Sequence, residues 1–390
     1  MKLKKLLALL LCFAFLLLVV FACASPEVDD AEVDDEPDIL EPVEEPPEVE
    51  IPADDDDPAE GIDFEAAFAA FPADTVMIRA DDLTVTWAEL FVFLFRSVQE
   101  LMQYSIAGID WNDDLGGVTL AEIVLSSSTE RTLPFMIVEY GAGILDVSLS
   151  EEDLKEHNAD LNDIIDSYGS KEEFMQVLWE NGGFHSFEVF ERLLLLEYTS
   201  GLIFLELYGE SGEDFPDEDV IDYVEQNEFM MAKHILILSA ENDSARDEAE
   251  DILKQLNNKI KANDFEDFFD SMMLEHSEDP GSLANPEGYL FQFDDMVAPF
   301  SEACAALEIG QLSDIVETEY GYHIILRVAV DFNSVPGSVT RAGLNYSVRE
   351  LAAIEDFEKV MYDWRQQLDP EFTPEYDSID LASIFYWRTY

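Results

Sequence analysis

Apolar positions along this chain fall into blocks with different periods. From Leu6 to Phe21 they are continuous, and from Ser25 to about Gly61 they scatter among Pro, Glu and Asp with no period at all. Folded structure is expected to begin near Phe71. Val76 to Arg79 reads as a short strand, and Leu90, Phe91, Leu94, Phe95, Val98, Leu101 and Met102 recur at helical spacing between Trp87 and Tyr104. Further helices are predicted over 120–140, interrupted by Pro134, and over 150–168, where Ser150 and Asp153 resemble a capping box with Asp in the Glu place. Helices over 171–181 and 186–208, and one capped by 215–219 that runs through Glu225, complete an all-helical lobe spanning 71–228.

After Glu228 the rhythm changes. The run 229–238 is a hydrophobic strand that carries Lys233 and His234, and 320–328 is a second buried strand that carries His323. Between them lie amphipathic helices over 244–262 and 264–274, a Glu, Asp, Pro, Gly and Ser loop over 275–288, and a third helix over 296–307 that ends at Gly310. The segment 229–331 is therefore an α+β unit of ordinary domain size. Helix resumes over 344–368, after turn residues 334–343. The C-terminal segment 332–390 is expected to pack back on the helical lobe. The α+β unit then becomes an insertion whose two ends lie close together.

Charge narrows the function classes. Among 390 residues, 87 acids stand against 20 bases, for a net charge of −67. Twenty of those acids fall between Glu27 and Glu65, and three of the bases are Lys2, Lys4 and Lys5; the remainder still carries about −50, so acidity belongs to the whole protein. Such a charge disfavours nucleic acid, anionic lipid headgroups and phosphorylated ligands, and no nucleic-acid partner is expected. An apolar fraction of 48% excludes wholesale disorder.

The N-terminus reads as an address. Three lysines, the apolar run and the close Val20-Phe21-Ala22-Cys23 make 1–22 a secretory signal ending in a lipobox, with Cys23 as the acylated residue; an uncleaved membrane anchor is the alternative. Either reading places the rest outside the cytoplasm, lipid-anchored to the cell membrane on the first. Segment 23–70 is an acidic tether whose like charges repel. With Cys12 in the signal and Cys23 lipidated, only Cys304 remains, and it reads as a packed core thiol.

The order of residues over 229–330 resembles the parvulin family of prolyl isomerases. The matching pieces are Ala232-Lys233-His234-Ile235-Leu236, Asp264-Phe265, Ser277-Glu278-Asp279, Gly288-Tyr289-Leu290-Phe291, Met296-Val297 with Phe300, Leu307 with Gly310, Ser313, and Tyr320-Gly321-Tyr322-His323-Ile324-Ile325. The layout of signal, tether and split helical lobe is similar to PrsA-type foldases. The resemblance implies a peptidyl-prolyl cis-trans isomerase in which His234 and His323 meet as a buried hydrogen-bonded pair and Asp279 acts on the carbonyl or organises the imidazoles. It also implies that Met296 and Phe300, four apart on one helical face, grip the proline ring, and that Tyr320 and Thr318 line the site. The chain departs from the family's Gly-Gly-Asp-Leu-Gly in having Pro286-Glu287-Gly288-Tyr289-Leu290-Phe291, which leaves open whether Tyr289 or Leu290 faces the ring.

These residue types suit the chemistry. Rotation about a peptide bond faces a barrier of roughly 18–20 kcal/mol, so a catalyst must prefer the twisted amide to the planar one. An apolar slot for the pyrrolidine ring and a few fixed polar groups around the carbonyl are sufficient. The remaining His157, His185 and His276 show no metal spacing and read as surface residues. No cofactor or metal is implied. The loop 239–246 has one base, Arg246, among acids, so acids or phosphoserine before proline are not expected to be favoured. The implied partners are unfolded or partly folded exported proteins containing X-Pro bonds; a homodimer is an open alternative. Competing readings are a catalytically silent holdase chaperone and a transporter's solute-binding lipoprotein. The latter lacks its expected βαβ series.

Overall fold

The computed structural model describes residues 61–390 except 105–107, 241, 283, 337–339, 342–343 and 389–390. The expected signal, its Cys23 and most of the tether lie outside the described residues. Two compact units result, one formed by residues up to Ser200 together with Asp363–Tyr390, the other by Gly201–Tyr362.

The first unit starts earlier than Phe71. Strand β1 (Gly61–Ile62) and helix α1 (Phe64–Phe68) precede it, with Asp63 capping α1 through its bond from Ala66 N at 2.9 Å and Phe68 buried. Ten residues assigned to the tether are thus folded, because Phe64 and Phe68 supply the apolar anchor that the acids around them obscure. Strands β2 (Val76–Ala80) and β3 (Leu83–Thr86) form a hairpin leading into α2 (Trp87–Tyr104). The stripe expected on α2 understates its burial: from Trp87 to Phe95 every residue is buried on all sides, which makes α2 the unit's central helix.

Helix α3 (Leu120–Leu145) begins at a capping box between Thr119 and Glu122 and runs unbroken through Pro134, because Thr132, Leu133, Met136 and Ile137 are buried on either side of the proline. The box at Ser150 and Asp153 starts α4 (Glu151–Ser167). Helices α5 (Lys171–Gly182) and α6 (Phe187–Tyr208) follow, and Phe93 packs with Leu161, Phe174, Leu178 and Phe190 in one cluster. His157 belongs to this interior, edge-on to Tyr198 at 5.2 Å, and not to the surface.

The second unit takes the end of α6, then α7 (Asp217–Gln226), β4 (Met230–Leu238), α8 (Ala245–Lys259) and α9 (Phe265–His276). Strand β5 (Tyr289–Phe291), a 3-10 turn (Phe293–Asp295), α10 (Ala298–Ala305), β6 (Val316–Glu317) and β7 (Gly321–Val328) complete the α+β core. The sheet is antiparallel in the order β5-β4-β7-β6, with β4 and β7 in register from Met231 opposite Val328 to Leu238 opposite Gly321.

Side-chain alternation gives this sheet two faces. Ile235, Ile237, Ile324 and Leu326 pack on α8 and α9, while Ala232, Ile325 and Phe291 pack on Phe300 and Cys304 of α10. Lys233 falls on the helical face, only 2% exposed, and its Nζ lies 2.9 Å from Asp270 and 3.0 Å from Glu266 of α9.

A short hairpin, β8 (Thr340–Arg341) and β9 (Leu344–Asn345), leads into α11 (Val348–Leu368), so the final helix starts four residues later than its pattern suggests. The chain then ends in the first unit with β10 (Glu371–Phe372), α12 (Pro374–Asp377), α13 (Leu381–Ile384) and β11 (Trp387–Arg388). Strand β10 pairs with β2 and β11 with β1, and Trp364, at the end of α11, lies against Gly141 of α3. The first unit is therefore not all helical: the segment from Gly61 and the C-terminal segment both contribute strands to it. Among the described residues, no helix is long and apolar enough to cross a membrane.

Candidate functional site

The register of β4 and β7 decides which polar residues meet. Leu236 sits opposite His323 and Ile325 opposite His234, so the two histidines project from the same face, one step apart on the diagonal. Gly321 makes the close pairing feasible: at φ +151°, an added Cβ would lie 2.1 Å from Ile237 O. His234 is 8% exposed and His323 5%, with ring centroids 5.3 Å apart.

The expected bond between the imidazoles is not formed. Among the described residues His323 Nε2 pairs with Thr318 Oγ1 at 2.8 Å, His234 Nε2 faces Asp279 Oδ2 at 3.6 Å, and both Nδ1 atoms are buried without a hydrogen-bond partner. Burial lowers the proton affinity of both rings. It takes His323 down to about 4, with His234 pushing the same way and Asp279 opposing; His234 is lowered by burial against the pull of Asp279. Both imidazoles are neutral near pH 7.

Asp279 reaches this pair because the loop after α9 is stitched to the edge of β4. Leu236 N donates to Ser277 Oγ at 3.2 Å, Glu278 N to Leu236 O at 2.8 Å, and Leu238 N to Glu278 Oε2 at 2.7 Å. A segment that reads as turn chemistry thus serves as a short extra edge beyond β5. On the other side of the carboxylate, Tyr289 Oη donates to Asp279 Oδ2 at 2.5 Å. The Tyr289 ring also stacks on His234, 5.4 Å between centroids at 26°. Burial and the adjacent carboxylate raise the affinity of this phenol for its proton.

Phe300 closes the site from α10, edge-on to His234 at 5.2 Å and to His323 at 5.5 Å. Met296 packs half-buried on the same cluster, but not from one helical face with Phe300. Its backbone is extended (φ −114°, ψ 165°), and α10 starts only at Ala298 because Pro299 belongs in a first helical turn. Cys304, one turn after Phe300, is fully buried and accepts from Arg327 Nη1 at 3.3 Å; burial raises its thiol, so it is core.

Two assigned residues lie elsewhere. Leu290 pairs with Met231 and so projects to the face of the sheet that carries α8 and α9; the residue beside the histidines is Tyr289, opposite Ala232. Tyr320 is 54% exposed at the turn before β7, and only its backbone approaches the site, with its N–H donating to Thr318 Oγ1 at 3.2 Å. The Ser277–Glu278 edge and the Tyr289 bond to Asp279 are the parts that sequence reasoning missed. The one available signal was the tyrosine inside the departure from the Gly-Gly-Asp-Leu-Gly pattern. Arg246, expected in a loop, lies in the first turn of α8, with Glu250 at 3.3 Å and Glu317 at 3.8 Å. A cavity of about 530 Å³ lies away from the histidines, lined by residues that include Val224, Phe229, Phe293 and Arg327. Among the described residues no cluster of three metal-ligating side chains occurs.

The arrangement sets neutral imidazoles, one carboxyl group and an aromatic wall together on one face of the sheet. Among the described residues it brings no cluster of metal ligands, and it can bind a small apolar ring beside a polar carbonyl.

Comparison with known proteins points the same way. Residues 234–329 match the family described as "Rotamase: PPIC-type PPIASE domain". The chain is 35% identical over 136 residues to the foldase protein PrsA of Halalkalibacterium halodurans, covering 33% of this chain and 37% of that relative. It is 32% identical over 157 residues to PrsA of Caldanaerobacter subterraneus subsp. tengcongensis, covering 39% and 44%. The matches thus span less than half the length of either relative. Among solved structures, PrsA from Bacillus subtilis is similar at 18% identity, over 67% of this chain and 91% of that one, with a TM-score of 0.23.

Proposed function

We propose that this chain, with a PPIC-type domain over 234–329 and stretches similar to PrsA foldases, is a peptidyl-prolyl cis-trans isomerase that assists the folding of exported proteins. The observation that carries the reading is the convergence of His234, His323 and Asp279 against Phe300.

The chemistry follows from the amide. A planar X-Pro bond places negative charge on the carbonyl oxygen and positive charge on the nitrogen; twisting removes both and returns a lone pair to nitrogen. Asp279, held beside the carbonyl, disfavours the planar form more than the twisted one and so lowers the barrier. Phe300 and Met296 hold the pyrrolidine ring. His323, fixed by Thr318, and His234 shape the floor as neutral dipoles, with no proton transferred. Arg246 is already engaged by two carboxylates, so the residue before proline is neutral or basic, not phosphorylated or acidic. The chain works outside the cytoplasm, anchored through lipid on Cys23, and unfolded clients bind it.

A coupled assay on X-Pro peptides that vary the preceding residue tests the site. Wild-type protein is expected to accelerate isomerisation. Asp279→Ala and His234→Ala are each expected to lower kcat/KM by roughly 10–100-fold, or about 1.4–2.7 kcal/mol of transition-state stabilisation. Identical rates with and without wild-type protein sink the assignment.

A further inference from the structure

The carboxylate of Asp279 has two neighbours at one oxygen. Oδ2 accepts from Tyr289 Oη at 2.5 Å and stands 3.6 Å from His234 Nε2. The first is a hydrogen bond; the second is too long for one, whereas a bonded imidazolium–carboxylate pair closes to about 2.7–2.9 Å. The same tyrosine covers one face of the His234 ring. Its hydroxyl is boxed in as well, since a Cβ added at Gly281 would fall 2.1 Å from it.

We propose that Tyr289 is a positioning residue of this site: its hydroxyl holds Asp279 toward the substrate carbonyl and out of bonding contact with His234. The inference rests on the isomerase reading for its catalytic meaning. Satisfied by the phenol, Asp279 does not close on His234 or draw a proton onto it, and the site stays free of an imidazolium. The other groups that face His234 do not supply this control. His323 on β7 repels a second proton, the Thr318 hydroxyl is taken up by His323 and the Tyr320 N–H, and Cys304 on α10 is turned to Arg327 of β7. Among the described residues Asp279 is therefore the group able to ionise His234, and Tyr289 is the group that restrains it. The segment where the chain departs from the parvulin pattern supplies a residue the site uses.

The test is an NMR titration of the imidazole resonances in the full chain, alongside the pH profile of kcat/KM. Tyr289→Phe keeps the stacked ring and removes the hydroxyl, letting Asp279 close on His234. The His234 midpoint is expected to rise by about one pH unit or more, and the acidic limb of the rate profile to rise with it, because protonation then inactivates at a higher pH. Gly281→Ala, at a backbone position without positive φ, displaces the hydroxyl and is expected to shift the midpoint the same way, which serves if Tyr289→Phe does not fold. In an Asp279→Asn background, Tyr289→Phe is expected to move nothing. A folded Tyr289→Phe protein with an unmoved midpoint, or an equal shift in the Asn background, overturns the proposal. Wild-type protein without isomerase activity refutes the proposed function instead, and the titration still decides whether Tyr289 restrains Asp279.

Discussion

His323 illustrates what burial does to a single titratable side chain. Its ring is on the strand between β4 and β6, with Thr318 as its bonded partner among the described residues, and its proton affinity falls to about 4 against an ordinary value of 6.5. Below pH 6.5 the unfolded chain binds a proton there that the folded chain refuses, so the contribution to stability is complete above 6.5 and is lost as pH falls toward 4. At 1.36 kcal/mol per pH unit the loss is at most about 3 kcal/mol. Acid also relieves repulsion among carboxylates, which opposes this trend, so the comparison is with His323→Gln. Denaturant unfolding is expected to show wild type losing stability relative to the variant across that window; parallel curves refute it. At this scale the sequence was most legible where chemistry interrupted a pattern. A histidine in each of two continuous apolar strands stands out. Asp279 reads as a turn residue from its own segment and gains a role only through the resemblance, and Tyr289 is an aromatic of unknown facing, because what each touches depends on strand register.

Elements were placed well by periodicity and poorly at their ends. Pro299 was the signal that α10 begins at Ala298, which removes Met296 from the helix even though the apolar spacing includes it. Pro134 reads as an interruption, yet α3 continues through it, since buried contacts on both sides outweigh one missing hydrogen bond. Two glycines on α3 separate local propensity from packing. Gly143 meets open space, so Gly143→Ala is expected to stabilise by about 0.5–1 kcal/mol through helix propensity. Gly141→Ala would place a Cβ 2.1 Å from the buried Trp364 ring and is expected to destabilise by about 1–3 kcal/mol. Chemical denaturation of both variants checks the pair; the same sign for both contradicts the close approach of α3 and the end of α11.

At the scale of the molecule, 87 acids against 20 bases make self-repulsion a property of the folded chain. Raising salt from about 0.01 M to about 1 M shortens the screening length from about 30 Å to about 3 Å. Thermal unfolding is therefore expected to move upward with sodium chloride, by about 2–4 °C for each kcal/mol of repulsion relieved; a melting temperature that is flat or falls with salt rules out repulsion as a significant cost. The amino-acid sequence by itself determined the periods of the elements, the α+β character of 229–331, the presence of two buried histidines and the acidity, because each is a sum over local positions. The tertiary structure alone decided that Tyr289 and not Leu290 lies beside His234, that the Ser277–Glu278 edge carries Asp279 to the imidazoles, and that short strands at Gly61–Ile62 and near the C-terminus complete the first unit. Those outcomes depend on pairing between segments remote in sequence. A shift of register by one residue would reverse every facing without altering any local pattern.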